Sequence, residues 1–299
     1  MNLQVKQAWL LACMSLLVCS FAAADVGSFS ITVTPWCDHS FRVRVVPTGH
    51  ADTRPAHERL QATLSSHGLA ELPSALIGDH CHPGGPNPLP AGGSAKNGNL
   101  QVSLTQDGEL LGFTRVDTGA ALFSAKPSFA TSSVEPGYLA SSLDLVPGDK
   151  DELIYGLGQG NWSDQKQTDW CGVGGERRVP LVRNGQVVDL LQRKFHIGIP
   201  FAYSTAGYGF LFNMPGYGNV SVGGIGVGGM EWLASASLGL DFWVTGLPAG
   251  EAAAAPAAPV YKHYADATGH SPPLREEAML FWQSRLRYKT SDVAIKVGG

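Results

Sequence analysis

Clustered positive charge is the first thing this sequence lacks. Its 299 residues hold 21 Lys and Arg against 25 Asp and Glu, a net charge of −4. Charged residues make up 15% of the chain, below the roughly 25% of an average soluble protein. No basic block interrupts that sparse pattern, which excludes a phosphate-backbone partner: nucleic-acid binding needs grouped Lys and Arg. Long apolar runs are missing beyond residue 24, so no later segment is expected to span a bilayer. Also absent are C-x-x-C, H-E-x-x-H, G-x-S-x-G and Walker sequences, and with them the commonest signatures of redox, zinc-hydrolase, serine-hydrolase and nucleotide chemistry. No cofactor and no metal are therefore expected. Glycine (37) and proline (19) are plentiful but stay below the roughly 25–30% that marks low complexity. The hydrophobic content of 44% suffices for a sizeable core.

The one long apolar run lies at the start. Lys6 precedes Ala8 to Ala24, which ends in Ala22-Ala23-Ala24 before Asp25. A positive start, a short apolar stretch and small residues before a polar one describe a secretory signal peptide over residues 1–24. The expected destination is the secretory pathway: outside the cell, the endoplasmic reticulum, or a lysosome- or vacuole-like compartment. No membrane association is expected after cleavage. Cys13 and Cys19 leave with the leader; Cys37, Cys81 and Cys171 stay, allowing one pair and one thiol, with the pairing open. His80-Cys81-His82 has the look of a metal tract. Adjacent residues on an extended chain point to opposite sides, however, and no second ligand cluster follows at zinc-site spacing. An ordinary loop is the expectation. Asn161-Trp-Ser163 and Asn219-Val-Ser221 are glycosylation sequons.

Alternation organises the rest. Phe29, Ile31 and Val33 alternate with polar neighbours, as do Phe41, Val43 and Val45, then Leu100, Val102 and Leu104. Period two with one apolar side predicts half-buried strands. Asp107-Gly108 predicts a hairpin turn into Glu109–Phe113. Further strands are expected at Leu143–Val146, Val179–Val182, Val187–Leu191, Ile197–Tyr203, Gly209–Asn213, Val220–Val222 and Leu240–Val244. Pro83–Gly93 reads as a loop and residues 246–259 as an Ala/Pro-rich linker. Val260–Thr268 predicts a short helix stopped by Gly269. Ala278–Tyr288 suggests a buried strand, and Ser291-Asp292 the N-cap of another helix. Many short strands separated by Gly and Pro predict an all-β sandwich.

Gly224, Gly226 and Gly229 match G-x-G-x-x-G, but the pyrophosphate of a dinucleotide sits at the N-terminus of a helix that must follow directly. Met230–Leu240 shows only weak helical periodicity, so a glycine-rich hairpin loop is expected. The acidic groups Asp149/Asp151/Glu152, Asp164/Asp169 and Glu276/Glu277 lie in turn-rich stretches and read as solvated loop carboxylates. A glycosidic carboxylate pair must instead flank its bond across a cleft.

Several segments resemble the N-terminal region of glycoside hydrolase family 31, the α-glucosidase and α-xylosidase family. Glu152-Leu-Ile-Tyr155-Gly156-Leu157-Gly158-Gln159 is similar to its E-x-x-YGLGQ signature. Ile199-Pro200-Phe201 with Gly207-Tyr208-Gly209-Phe210-Leu211-Phe212-Asn213 resembles a strand pair, and Asp241-Phe242-Trp243-Val244 a further strand. Tyr264–His270, Pro272-Pro273 and Phe281–Tyr288 resemble the lead into the catalytic barrel. The matches are collinear from about Phe29 to Asp292.

The resemblance implies a galactose-mutarotase-like supersandwich over residues 25–259, followed at 260–299 by a connecting helix and the first strand of an incomplete (β/α)₈ barrel. A barrel takes about 250 residues; Ala278 to Gly299 is 22. The family's aspartate nucleophile and acid/base are thus not expected here, and the chain is expected to be an inactive N-terminal part of a retaining α-glycosidase. Its carbohydrate partner would be an α-linked glucoside or xyloside. In the family a sandwich loop helps shape the sugar pocket. The corresponding stretch is Val187–His196, where Arg193 is followed by Lys194 rather than the family's Asn or Asp. Arg193, Trp282, Arg287 and Tyr288 are the substrate-contact candidates. Two other readings compete: a stand-alone, non-catalytic carbohydrate-binding sandwich, and a mutarotase-like epimerase. The epimerase needs an acid and a base facing one pocket, whereas His196 and His263 have no carboxylate at an evident spacing.

Overall fold

A computed structural model describes residues 28–48, 74–78, 80–158, 182–191, 197–251, 257–279 and 290–298. Among the described residues, fifteen strands form two antiparallel sheets. One runs, from edge to edge, β3 (Asn87–Pro88), β1 (Phe29–Pro35), β2 (Ser40–Pro47), β15 (Leu240–Gly246), β12 (Tyr208–Phe212), β11 (Phe201–Ser204) and β9 (Ile154–Gly156). The other runs β10 (Val187–Asp189), β13 (Gly218–Val222), β14 (Met230–Ser237), β8 (Leu139–Pro147), β7 (Ala121–Thr131), β6 (Leu111–Arg115), β5 (Leu100–Leu104) and β4 (Ser94–Asn97).

The alternating apolar residues of both sheets point inward and make one core. Ile31, Val33, Val43 and Val45 meet it from the first sheet, Leu100, Val102, Leu111 and Phe113 from the second. Aromatic rings bridge the layers: Phe123 lies 4.7 Å from Tyr208, and Phe210 5.0 Å from Trp232, centroid to centroid. The all-β sandwich expected from the alternation is the observed fold.

The first sheet is also covered on its outer face. Helix α1 (Ala257–Thr268) lays Val260 and Ala267 over Leu211, Trp243, Leu247 and Phe201. Two covered faces explain why Tyr208–Phe212 and Phe242–Gly246 are buried at every position rather than at alternate ones. Gly209 sits where the helix approaches: a Cβ there would lie 2.7 Å from Val260.

The glycine run closes a hairpin as expected, joining β13 to β14, where Gly223 N–H donates to the Gly229 carbonyl; Met230, Trp232 and Ala234 of β14 face the core. Some expectations need correction. Ile197–Tyr203 enters a regular strand only at Phe201, since Pro200 has no N–H for a ladder. Val182 is outside any strand, and Val179 to Leu181 lie outside the described residues. Ala278 and Met279 do not begin a strand: they close a 3₁₀ turn (Glu276–Met279), with Met279 78% exposed. The remainder of Ala278–Tyr288 lies outside the described residues. A second helix, α2 (Ser291–Gly298), begins at Ser291. The chain divides into two compact units, residues 1–269 and 270–299.

Candidate functional site

The segment carrying the densest motif, Glu152 to Gly158, forms one end of the first sheet. Glu152 is the main surprise. It is 1% exposed rather than solvated. Its carboxylate accepts hydrogen bonds from the Ser204 hydroxyl and, at 3.1 Å, from the Tyr208 phenol. Burial pushes its carboxyl above the ordinary range, with the two hydroxyl donors opposing and Asp149 reinforcing that rise. Tyr208, fully enclosed beside the same carboxylate, is pushed far above the ordinary phenol value. Asp149, Asp151, Glu276 and Glu277 are exposed as expected; Asp164 and Asp169 lie outside the described residues.

The backbone after Glu152 turns sharply. Gly156, Leu157 and Gly158 have φ of 97°, 64° and 81°, a left-handed run that side chains other than glycine's rarely adopt. At Gly158 sterics add to the constraint: a Cβ would lie 1.9 Å from the Ile197 carbonyl oxygen. Leu157 accepts the same conformation because its side chain is buried and its N–H donates to the Phe201 carbonyl at 2.8 Å. The Gly-Leu-Gly signature is thus dictated by a turn wedged against a neighbouring backbone.

Arg183 clasps this turn. Its Nε donates to the Gly156 carbonyl at 2.9 Å and its Nη2 to the Gly158 carbonyl at 2.7 Å. Asn184 completes the clasp, receiving the Ile154 N–H at 2.9 Å and donating to the Glu152 carbonyl at 3.0 Å. Ile197 abuts Gly158, and Gly198 approaches the Leu190 carbonyl, so the turn, the end of β10 and the approach to β11 meet on one platform. Asn161, Arg193, Lys194, His196, Trp282, Arg287 and Tyr288 lie outside the described residues. Asn219 is described. It lies on β13 between Asp189 and Leu233, on the partly exposed side that Ser221 shares.

Sequence reasoning passed over the chemistry of Glu152, Arg183 and Asn184. The partners of Glu152 stand 52 and 56 residues downstream, and no local spacing signals them. With both hydroxyl donors engaged and solvent excluded, Glu152 anchors the platform. Asp241, from the other strand motif, is an anchor of the same kind, since Arg42 reaches both its carboxylate oxygens through Nε, at 3.0 and 3.1 Å.

The cysteine question is answered for one pair. Cys37 and Cys81 form a disulfide with sulfurs 1.95 Å apart; Cys171 lies outside the described residues. Among the described residues, no three His, Cys, Asp or Glu side chains are grouped to hold a metal ion.

These geometries sit within a wider kinship. No family model matches the chain. Over 146 residues it is 29% identical to "Uncharacterized family 31 glucosidase ORF2" of Pseudescherichia vulneris, covering 49% of this chain and 23% of that one. Over 143 residues it is 32% identical to "Alpha-xylosidase" of Saccharolobus solfataricus, covering 47% and 17%. The chain is a relative of glycoside hydrolase family 31. Among solved structures, a xylosidase from Aspergillus niger superposes over 90% of this chain and 35% of its own, with a TM-score of 0.65 at 18% identity. A family 31 α-xylosidase from a soil metagenome, solved with xylose, superposes over 90% and 36%, with a TM-score of 0.62 at 23% identity. The chain spans less than a quarter of the length of these two curated relatives.

Proposed function

We propose that this chain is the N-terminal sandwich part of a secretory-pathway, retaining family 31 α-glycosidase acting on α-linked glucosides or xylosides, and that it does not hydrolyse them by itself. The observation that carries the reading is the Glu152–Gly158 platform. Its signature resembles the family's and is held by stated steric constraints, and Leu190 and Ile197, which flank the Arg193 stretch in sequence, meet beside it. That arrangement suits a structural shoulder next to a sugar site assembled with further protein. A retaining mechanism needs a nucleophile and an acid/base about 5–5.5 Å apart; the buried carboxylate of this platform is committed to Ser204 and Tyr208 instead. The Cys37–Cys81 disulfide supports an oxidising compartment, in keeping with the apolar leader over residues 1–24.

The test is turnover. The chain from Asp25 onward should show no release of p-nitrophenol from p-nitrophenyl α-xyloside or α-glucoside. Sequencing of full-length transcripts should reveal a barrel-encoding continuation in frame. Hydrolysis by the chain alone would overturn the accessory reading, and transcripts that stop at Gly299 would favour a stand-alone module.

A further inference from the structure

A second feature lies in the same unit, at the end of the first sheet next to the disulfide. Three segments converge there around an open cavity of about 620 Å³. The β1–β2 turn brings Asp38 and His39, the loop before β3 brings His80 and His82, and α1 brings Lys262, His263 and Asp266. The Cys37–Cys81 bond ties the first two walls together. Asn97 secures the turn from below, its Nδ2 donating to the Cys37 and Ser40 carbonyls, each at 2.7 Å.

The imidazoles are held in place. His39 Nδ1 accepts the Asn99 N–H at 2.7 Å, so its remaining proton resides on Nε2. His263 is 8% exposed, and its Nδ1 pairs with the Thr245 hydroxyl at 2.8 Å. The two rings stack with centroids 5.6 Å apart.

Chemistry narrows what such a cavity takes. An apolar ligand finds little beyond Pro35, Gly84 and the disulfide to cover it. A phosphate or sulfate meets two carboxylates against one ammonium, and that ammonium already pairs with Asp266 at 2.7 Å. A metal ion lacks three suitably grouped ligands among the described residues. What remains is a wall of mixed donors and acceptors, imidazole N–H groups and the Asp38 carboxylate, beside the Lys262–Asp266 ion pair. That mixture is complementary to the adjacent hydroxyls of a neutral polyol, each of which donates once and accepts twice. The volume falls within the range of small-molecule sites, about 300–1,000 Å³.

We propose that this cavity is a binding site for one or two residues of a neutral sugar. The carbohydrate reading above suggests which polyols to try first; the donor and acceptor argument does not depend on it. The histidine ring C–H resonances of the full chain should be followed by NMR at pH 7.5 while D-xylose or maltose is added to tens of millimolar. Parallel titrations use inorganic phosphate and ZnCl₂. The expected result is saturable shifts confined to the rings of His39, His80, His82 and His263 with at least one sugar. Asp38→Ala and His82→Ala both alter exposed side chains, and each should weaken that binding about fivefold or more, as loss of a hydrogen-bond partner does, with the melting temperature unchanged. Shifts with phosphate or zinc but with neither sugar would overturn the proposal. So would sugar shifts that survive both substitutions. Absence of turnover in the glycosidase assay bears on the family reading and leaves this result unaffected.

Discussion

At the scale of the residue, two buried ionisable groups organise the molecule. Replacing Glu152 by alanine strands the Ser204 and Tyr208 hydroxyls in a dry site. Each unpaired group costs about 1–3 kcal/mol, so Glu152→Ala should lower stability by about 2–6 kcal/mol, while Glu152→Gln, which keeps an acceptor, should lose less. Urea unfolding of the three proteins measures the ranking, and equal midpoints would show that the network contributes nothing. His263 makes a prediction about pH. Burial first, then the neighbouring His39 and Lys262, hold its imidazole below the ordinary value near 6.5. The folded chain therefore binds this proton less readily than the unfolded chain. Stability is fully present above pH 6.5 and is lost as pH falls through the depressed folded value. Thermal melts from pH 7.5 down to 5 should show the decline, and His263→Gln, which can still bond Thr245, should flatten it.

Among the elements, the disulfide controls the least regular part of the sandwich. It joins the β1–β2 turn to the loop before β3 across a sequence separation of 44. β3 is only two residues long and pairs with β1 through Thr32 and Val33. On the chain-entropy account, closing a loop of that length stabilises by about 4 kcal/mol. The Cys37→Ser/Cys81→Ser double variant should accordingly melt well below the parent, and mild reductant should lower the parent toward the variant. Unchanged melting would place the stability of this end in the strands alone. Legibility in the sequence follows the same division. Strands buried on one face, such as β1, β2 and β5, announce themselves by alternation. β7, the longest described strand, alternates too, with Phe123, Ala125 and Phe129 buried between Ser124, Lys126 and Ser128, but Pro127 interrupts the signal, since proline inside a central strand is unusual. β14 resembles a weak helix because its pairing with β8 slips between Ala234 and Ser237, so its alternation fades before its end. The Gly-Leu-Gly turn is visible as a motif, but its reason is not, because the carbonyl that excludes a side chain belongs to Ile197, far along the chain.

The molecule as a whole raises the question of what completes the 1–269 unit. Helix α1 follows the last strand, yet it belongs to the sandwich by every physical measure. Ile77 N–H donates to the Ala267 carbonyl at 2.9 Å, and the Tyr264 ring stacks on Phe201 with centroids 4.1 Å apart. Val260 and Ala267 are fully covered. Without the helix, the outer face of β11, β12 and β15 would show Phe201, Leu211 and Trp243 to water. Uncovering side chains of that size costs about 1.5–3 kcal/mol each, and a contiguous apolar patch promotes association. A chain ending at Gly269 should therefore keep the cooperative melt of the full chain and remain dispersed. One ending at Glu251 should lose several degrees or more of melting temperature and aggregate, as followed by light scattering. Equal behaviour of the two shortened chains would mean that the sandwich is complete at β15 and that α1 serves only as a tether to whatever lies beyond it.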